Sequence, residues 1–185
     1  MSTTNTELDK RLRAVKLVAL DVDGVLTDGR VIHGDWSQGG GVELQAFDVT
    51  DGAALVWLRR AGLRVVWISG RGCEATKKRA EEVGVDELFV RAGPKDQVLK
   101  GIQEAHSVAR AETLAMGDDL PDLRMLLRAG IFIAPANARP EVRAQADLIT
   151  EARGGRGAVR EVAERLLRAR GEWDALVDSY SRSAE

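Results

Sequence analysis

The sequence predicts an α/β fold built on a doubly wound parallel sheet. Two features of the 185-residue chain carry that prediction. Short apolar runs recur along it, separated by segments whose apolar residues keep helical spacing. Strands alternating with helices close into a parallel sheet covered on both faces. The apolar runs also end in polar, turn-forming residues, Asp21, Ser69 and Asp118 among them. Ligands sit at these carboxyl ends of the strands in such sheets.

Composition bounds the reading. Hydrophobic residues make up 44% of the chain and charged residues 30%, enough apolar side chain for a packed core. A net charge of −2 gives no global basic footprint for nucleic acid. No apolar run reaches transmembrane length, and the polar start MSTTNTELDKRLR lacks a signal-peptide core. The lone Cys73 excludes an internal disulfide framework and fits a reducing compartment. The expectation is a cytoplasmic protein with no nucleic-acid or membrane partner. Its length suits a tail and short helix over 1–15, one core domain over 16–172, and a tail over 173–185. A β-hairpin over 30–47 stands in place of a large cap domain.

In chain order, residues 7–14 have the spacing of a short amphipathic helix. Leu17, Val18, Ala19 and Leu20 then form an apolar run that reads as a buried parallel strand. The strand delivers Asp21 and Asp23 to one side, because alternate residues of an extended chain point the same way. Two carboxylates this close raise each other's pKa unless a cation lies between them, and a hard divalent ion such as Mg²⁺ suits oxygen ligands. The plain alternative is a polar turn with both acids solvated.

Val31 and Ile32, a turn through Gly34, Asp35 and Gly39 to Gly41, and VELQAF over 42–47 read as a hairpin. Directly after a functional strand end, it can cover a site, contact another subunit or be an ordinary surface hairpin. Trp36 within it is either an interface anchor or a turn aromatic. Thr50 is a candidate N-cap for a helix with Ala54, Leu55, Trp57 and Leu58 on its apolar face, ended by Gly62. LRVVWI over 63–68 is the next strand and runs into Ser69, Gly70 and Arg71. A helix over 74–83 and a strand over 86–90 follow.

Pro94 suits the first turn of a helix that runs through KDQVLKGIQEAHSVA over 95–109. Residues 112–116 form a strand ending in Gly117, Asp118 and Asp119, and Pro121 opens another helix. A strand over 131–134, a short helix over 141–145, a short strand over 147–150, the GGRG loop over 154–157 and a final helix complete the core. The two acid pairs, a hydroxyl beside backbone amides, and a lysine thus fall at strand ends or helix starts and can share one crevice. Phosphoryl transfer needs each of them. Cations neutralise the phosphate oxygens, a carboxylate can attack phosphorus, and loop amides bind anions. Singly, each has a blander reading: Lys95 as a surface lysine, Ser69 as a turn residue, Asp119 and Asp122 as helix caps. Cys73 reads as an inert small residue, and His33 and His106 lack neighbours at metal-ligand spacing.

The blocks DVDGVLTDG, ISGR, Lys95 and GDDLPD resemble, in order and spacing, the four motifs of the haloacid dehalogenase superfamily of phosphatases. Within it, the chain is similar to the capless family of 3-deoxy-D-manno-octulosonate 8-phosphate phosphatases. DGVLTDG, the hairpin, FDVTDG over 47–52 and GGRGAVRE over 154–161 carry that likeness. The resemblance implies a Mg²⁺-dependent phosphomonoesterase acting on a small sugar phosphate through an aspartyl-phosphate. It implies that Asp21 is nucleophile and metal ligand. Asp23 is general acid and then base, its backbone carbonyl facing the metal, and Asp118 is the third ligand. Ser69 and Lys95 hold the phosphoryl group, and Asp119 and Asp122 orient Lys95 or metal-bound water. Gly70, Arg71, Thr50 and Arg156 are substrate candidates, Arg156 for a sugar-acid carboxylate and Arg71 with an ordinary ion pair as its alternative. A homotetramer assembled through the hairpins is implied too, with neighbours closing each site.

The chain departs from the family pattern at two positions. Thr50 stands where an arginine is often found, and Gln45 where a basic residue is. Two missing cations leave open a nonulosonate phosphate, another sugar phosphate, or a non-catalytic auxiliary subunit of this fold. Two other classes compete less well. SGRGCEA over 69–75 has the outline of a dinucleotide fingerprint, but Arg91 stands where an acid is required. A phosphate-accepting receiver domain needs an aspartate at a later strand end, where Val90 and Arg91 stand.

Overall fold

Strand β1 is the centre of the molecule, and its four residues, Leu17–Leu20, are all buried. The structure is a computed structural model that describes residues 3–34 and 41–181. Helix α1 (Thr3–Arg13) precedes β1, and the hairpin of β2 (Ile32–His33) and β3 (Glu43–Leu44) follows it. Then come α2 (Val49–Arg60), β4 (Arg64–Ile68), α3 (Glu74–Val83), β5 (Glu87–Phe89) and α4 (Lys95–His106). The chain continues through β6 (Thr113–Met116), α5 (Leu123–Leu126), β7 (Ile131–Ala134), α6 (Pro140–Arg143), β8 (Leu148–Ile149), α7 (Ala158–Arg170) and α8 (Trp173–Ser181).

The main sheet has six strands in the order β5-β4-β1-β6-β7-β8, and every neighbouring pair is parallel. The chain winds outward from β1 in one direction and then restarts at β6 in the other. The switch point lies between β1 and β6, where a crevice opens at the carboxyl ends. Alternation assigns the two faces. Val18 and Leu20 pack with Leu12 of α1, Leu55 and Leu58 of α2 and Leu166 of α7. Leu17 and Ala19 face Leu99 and Ile102 of α4, Met125 of α5 and Val142 of α6. Full burial of one such leucine stabilises the fold by roughly 1.5–3 kcal/mol.

The hairpin is a separate two-stranded antiparallel pair in which Ile32 lies opposite Leu44. Trp36 and most of the expected turn lie outside the described residues. Three local expectations need correction. The N-cap of α2 is Asp48, whose carboxylate accepts from the Thr50 backbone N–H at 2.7 Å, so Thr50 lies inside the helix. A carboxylate is the stronger acceptor at a helix N-terminus. Pro94 precedes the first helical residue of α4, which is Lys95.

The expected C-terminal tail instead carries α8. Trp173 packs edge-on against Trp57 of α2, and Tyr180 Oη accepts a hydrogen bond from Trp57 Nε1 at 2.9 Å. The guanidinium of Arg160 lies 4.0 Å from the centre of the Trp57 ring, a cation–π contact. No described helix is long and apolar enough to cross a membrane.

Candidate active site

Asp21 follows β1 directly, and its backbone N–H extends the ladder by donating to Met116 O at 3.0 Å. The residue is 5% exposed. Lys95, the first residue of α4, aims its ammonium into the same crevice and is 6% exposed. Lys95 Nζ donates to Asp21 Oδ1 and, at 2.6 Å, to Asp122 Oδ1. The other Asp122 oxygen accepts from the backbone N–H groups of Asp118 (2.9 Å) and Asp119 (3.1 Å). Both Asp122 oxygens are therefore engaged. It holds Lys95 with one oxygen and shapes the loop after β6 with the other. Asp119 is exposed and caps Leu120 N at 2.8 Å.

Asp118 is different. Its Oδ1 is buried without a hydrogen-bond partner among the described residues. Oxygens of Asp21, Asp118 and Asp122 all lie within 4.8 Å of one another. Burial, then the charges of Asp122 and Asp119, push Asp118 up to about 7. Burial, then Asp122, likewise raises Asp21 well above its ordinary value, although Lys95 opposes this. Lys95 is held above its ordinary value, since the two flanking carboxylates outweigh its burial. Three close oxygen donors, two of them costly to ionise and one with an orphaned atom, fit a hard divalent cation. Gly24 keeps the crevice open. Its φ is +107°, and a Cβ there would lie 2.1 Å from Asp118 Oδ2.

The side chain of Asp23 does not join this cluster, so the carboxylates of Asp21 and Asp23 are not the pair that a shared cation would join. Asp23 Oδ2 accepts from Ser69 Oγ at 3.2 Å, and Oδ1 from Gln45 Nε2 at 2.8 Å. Its expected share in metal binding was through its backbone carbonyl. Ser69, beyond the end of β4, is 1% exposed and also accepts from the Arg71 backbone N–H at 3.0 Å. Gly70 is exposed beside it. Arg71 pairs with Glu43 of β3 at 2.7 Å and lies 3.8 Å from Asp23.

Thr50 and Arg156 take no part in these hydrogen bonds. The Thr50 hydroxyl donates to Asp48 Oδ1 at 2.6 Å, so it is already partnered. Exposed Arg156 lines, with Asp28, Phe47, Asp48 and Gly155, a cleft of ≈ 380 Å³. The adjoining Gly154 packs on the loop after β1, where a Cβ would come within 1.8 Å of Gly24 O. Asn137 joins the two segments: its Nδ2 donates to Gly24 O at 2.9 Å, and its Oδ1 accepts from Gly154 N at 2.6 Å.

Sequence reasoning did not find the structural roles of Gln45, Thr76 and Asn137. For Gln45 a signal existed. Alternation from Glu43 through Gln45 turns both side chains the same way, and the burial of residues 41–47 alternates accordingly.

A family model described as haloacid dehalogenase-like hydrolase matches residues 87–161. A 3-deoxy-D-manno-octulosonate 8-phosphate phosphatase of Salmonella typhi is 34% identical over 170 residues, covering 92% of this chain and 88% of the relative. The enzyme of the same description from Escherichia coli K12 is 35% identical over 160 residues, covering 86% and 83%. The crystal structure of such a phosphatase from Moraxella catarrhalis, in complex with a magnesium ion, a phosphate ion and a KDO molecule, has a TM-score of 0.90. It is 35% identical to this chain, and the match covers 95% of this chain and 98% of that one. With the switch-point acids, Lys95 and Ser69 in one crevice, these likenesses show that the chain belongs to the haloacid dehalogenase-like hydrolases, in the family of the 3-deoxy-D-manno-octulosonate 8-phosphate phosphatases, and is a phosphatase.

Proposed function

We propose that the chain hydrolyses 3-deoxy-D-manno-octulosonate 8-phosphate in a Mg²⁺-dependent reaction, through an aspartyl-phosphate on Asp21. One observation carries the reading. Two aspartates leave the same strand end into opposite surroundings, Asp21 beside Lys95 and the acidic cluster, Asp23 beside the neutral donors Ser69 and Gln45. Two carboxylates in unlike environments are suited to unlike roles. Asp21, Asp118 and the Asp23 carbonyl would hold Mg²⁺, which supplies positive charge to phosphoryl oxygens when bound. Lys95 supports the same charge from the side of Asp122, while the Ser69 hydroxyl and nearby backbone amides orient the phosphoryl group.

An Asp21 oxygen attacks phosphorus as the ester P–O bond breaks, and Asp23 gives its proton to the departing alkoxide. Water then attacks the aspartyl-phosphate, Asp23 takes a proton from it, and the Asp21–phosphorus bond breaks to release inorganic phosphate. Gly70, Arg71, Thr50 and Arg156 are proposed to contact the sugar acid. The Glu43 partner of Arg71 and the Asp48 partner of Thr50 would have to yield to it. We place the enzyme in the cytoplasm, as a homotetramer assembled through the hairpins, with Ile32 and Leu44 each 50% exposed for contact with a second copy.

Phosphate release from a panel of sugar phosphates, with Mg²⁺ or EDTA, tests this reading. Wild type is expected to act on 3-deoxy-D-manno-octulosonate 8-phosphate only with Mg²⁺. Asp21→Asn is expected to be inactive but folded, and retained hydrolysis by that variant removes Asp21 as nucleophile. A second reading, a nonulosonate or other sugar phosphate, is favoured by one observation: Gln45 and Thr50 bring no cation to the substrate side. Release from those panel members alone would select it. No release from any member would favour an auxiliary subunit.

A further inference from the structure

We propose that Thr76 and Gln45 form a relay that sets the orientation of the Asp23 carboxylate, making them positioning residues for its acid–base work. The inference rests on the phosphatase reading above and adds two residues to it. The relay begins in the first turns of α3, where Thr76 is 1% exposed. Thr76 Oγ1 donates to Gln45 Oε1 at 2.5 Å, and Gln45 Nε2 donates to Asp23 Oδ1 at 2.8 Å.

The direction of the relay follows from chemistry. Asp23 Oδ1 is an acceptor both in the ionised carboxylate and in the acid that carries its proton on Oδ2, so the amide nitrogen faces Asp23 and the amide oxygen faces Thr76. The buried hydroxyl supplies the donor that this oxygen requires. Without it, an amide rotated by half a turn loses nothing at Thr76 and sets an oxygen against the carboxylate.

Ser69 makes the relay matter during turnover. Its hydroxyl has one proton, which it donates to Asp23 Oδ2. A phosphoryl group held by Ser69 takes that proton away from Asp23. Arg71 Nε, 3.8 Å from Asp23, is beyond hydrogen-bond distance. Among the described residues, Gln45 then remains the donor that pins Asp23. It occupies Oδ1 and leaves Oδ2, on the Ser69 side, facing the reacting group. Because Gln45 extends from β3, hairpin placement and Asp23 orientation become one event. The same strand is tied down at Glu43, whose side chain pairs with Arg71 and whose carbonyl accepts from Cys73 Sγ at 3.8 Å.

The test uses the full-length protein with Thr76→Val, which keeps the side-chain shape, Thr76→Ser, which restores the hydroxyl, and Gln45→Leu. Steady-state kinetics with p-nitrophenyl phosphate and 3-deoxy-D-manno-octulosonate 8-phosphate in Mg²⁺ are read beside the NMR signals of the Gln45 side-chain amide in metal-free protein. Thr76→Val and Gln45→Leu should lower kcat about tenfold with little change in KM, one positioned hydrogen bond's worth. Thr76→Ser should recover most of the loss. The Gln45 amide signals should move to solvent-like positions in Thr76→Val and return in Thr76→Ser. Wild-type kcat in both Thr76→Val and Gln45→Leu, or an unmoved amide signal in Thr76→Val, overturns the relay. An inactive wild type overturns the phosphatase reading instead, and the amide signals still decide the relay.

Discussion

Asp118 shows how a single carboxylate can be unfavourable for the empty fold and useful to a filled site. One of its oxygens is buried with no partner among the described residues, and burial, then two further aspartates, raises its pKa to about 7. A neutral side chain of the same shape relieves that cost. Asp118→Asn should therefore stabilise the metal-free protein by about 1 kcal/mol, the scale of relieving one buried charge. The same variant should lose the rise in Tm that Mg²⁺ produces in the wild type. Thermal denaturation of both proteins with and without Mg²⁺ reads both effects, and an unchanged Mg²⁺ shift would remove Asp118 from the ligand set. Lys95 is the opposite case. Its two carboxylate partners hold it charged, so its position and its charge are fixed together.

At the scale of elements, Asp51 couples two helices. It lies in the first turn of α2, is 1% exposed, and accepts from Gly157 N at 3.2 Å and Arg160 N at 2.8 Å at the start of α7. Burial outweighs these donors and pushes it up from 3.8 to about 6. The folded state thus binds the proton more tightly than the unfolded chain does. The resulting stabilisation is complete below pH 3.8 and is lost as the pH rises through about 6. Asp51→Asn does not ionise, so its stability relative to wild type should rise between pH 4.5 and pH 7, by at most about 3 kcal/mol. Urea melts of both proteins at the two pH values check this, and a difference independent of pH would contradict it. The α2 sequence marks Asp51 only as an acid in a first turn. Its partners come from residues more than a hundred positions away, and no local pattern announces them.

Over the whole molecule, the six-stranded sheet is closed by helices on both faces, whereas the hairpin extends from it with apolar side chains in solvent. Val42 is 55% exposed, and Ile32 and Leu44, paired across the hairpin, are 50% exposed each. Exposed apolar surface of this kind marks contact sites. If copies of the chain assemble through it, Ile32→Glu combined with Leu44→Glu should convert the oligomer to monomers in light scattering. A wild type that is already monomeric would end the proposal. Because Gln45 lies next to Leu44, such a variant should also lower kcat if the relay to Asp23 needs the hairpin docked.

The apolar runs and the polar residues that end them were enough to determine the winding of the sheet and the convergence of Asp21, Ser69, Lys95 and Asp118. Strand alternation and burial are local properties, and the carboxyl ends of parallel strands necessarily share one edge. Only the tertiary structure decided how the charges pair. It turned Asp23 away from the other acids toward Ser69 and Gln45, and of the two candidate partners gave Lys95 to Asp122 while Asp119 caps Leu120. It also showed that residues 173–181 form a helix held by Trp57, in a segment whose composition reads as a tail. Hydrogen bonds and ring contacts between residues distant in sequence depend on side-chain direction and on which helix lies opposite. Periodicity along the chain carries neither.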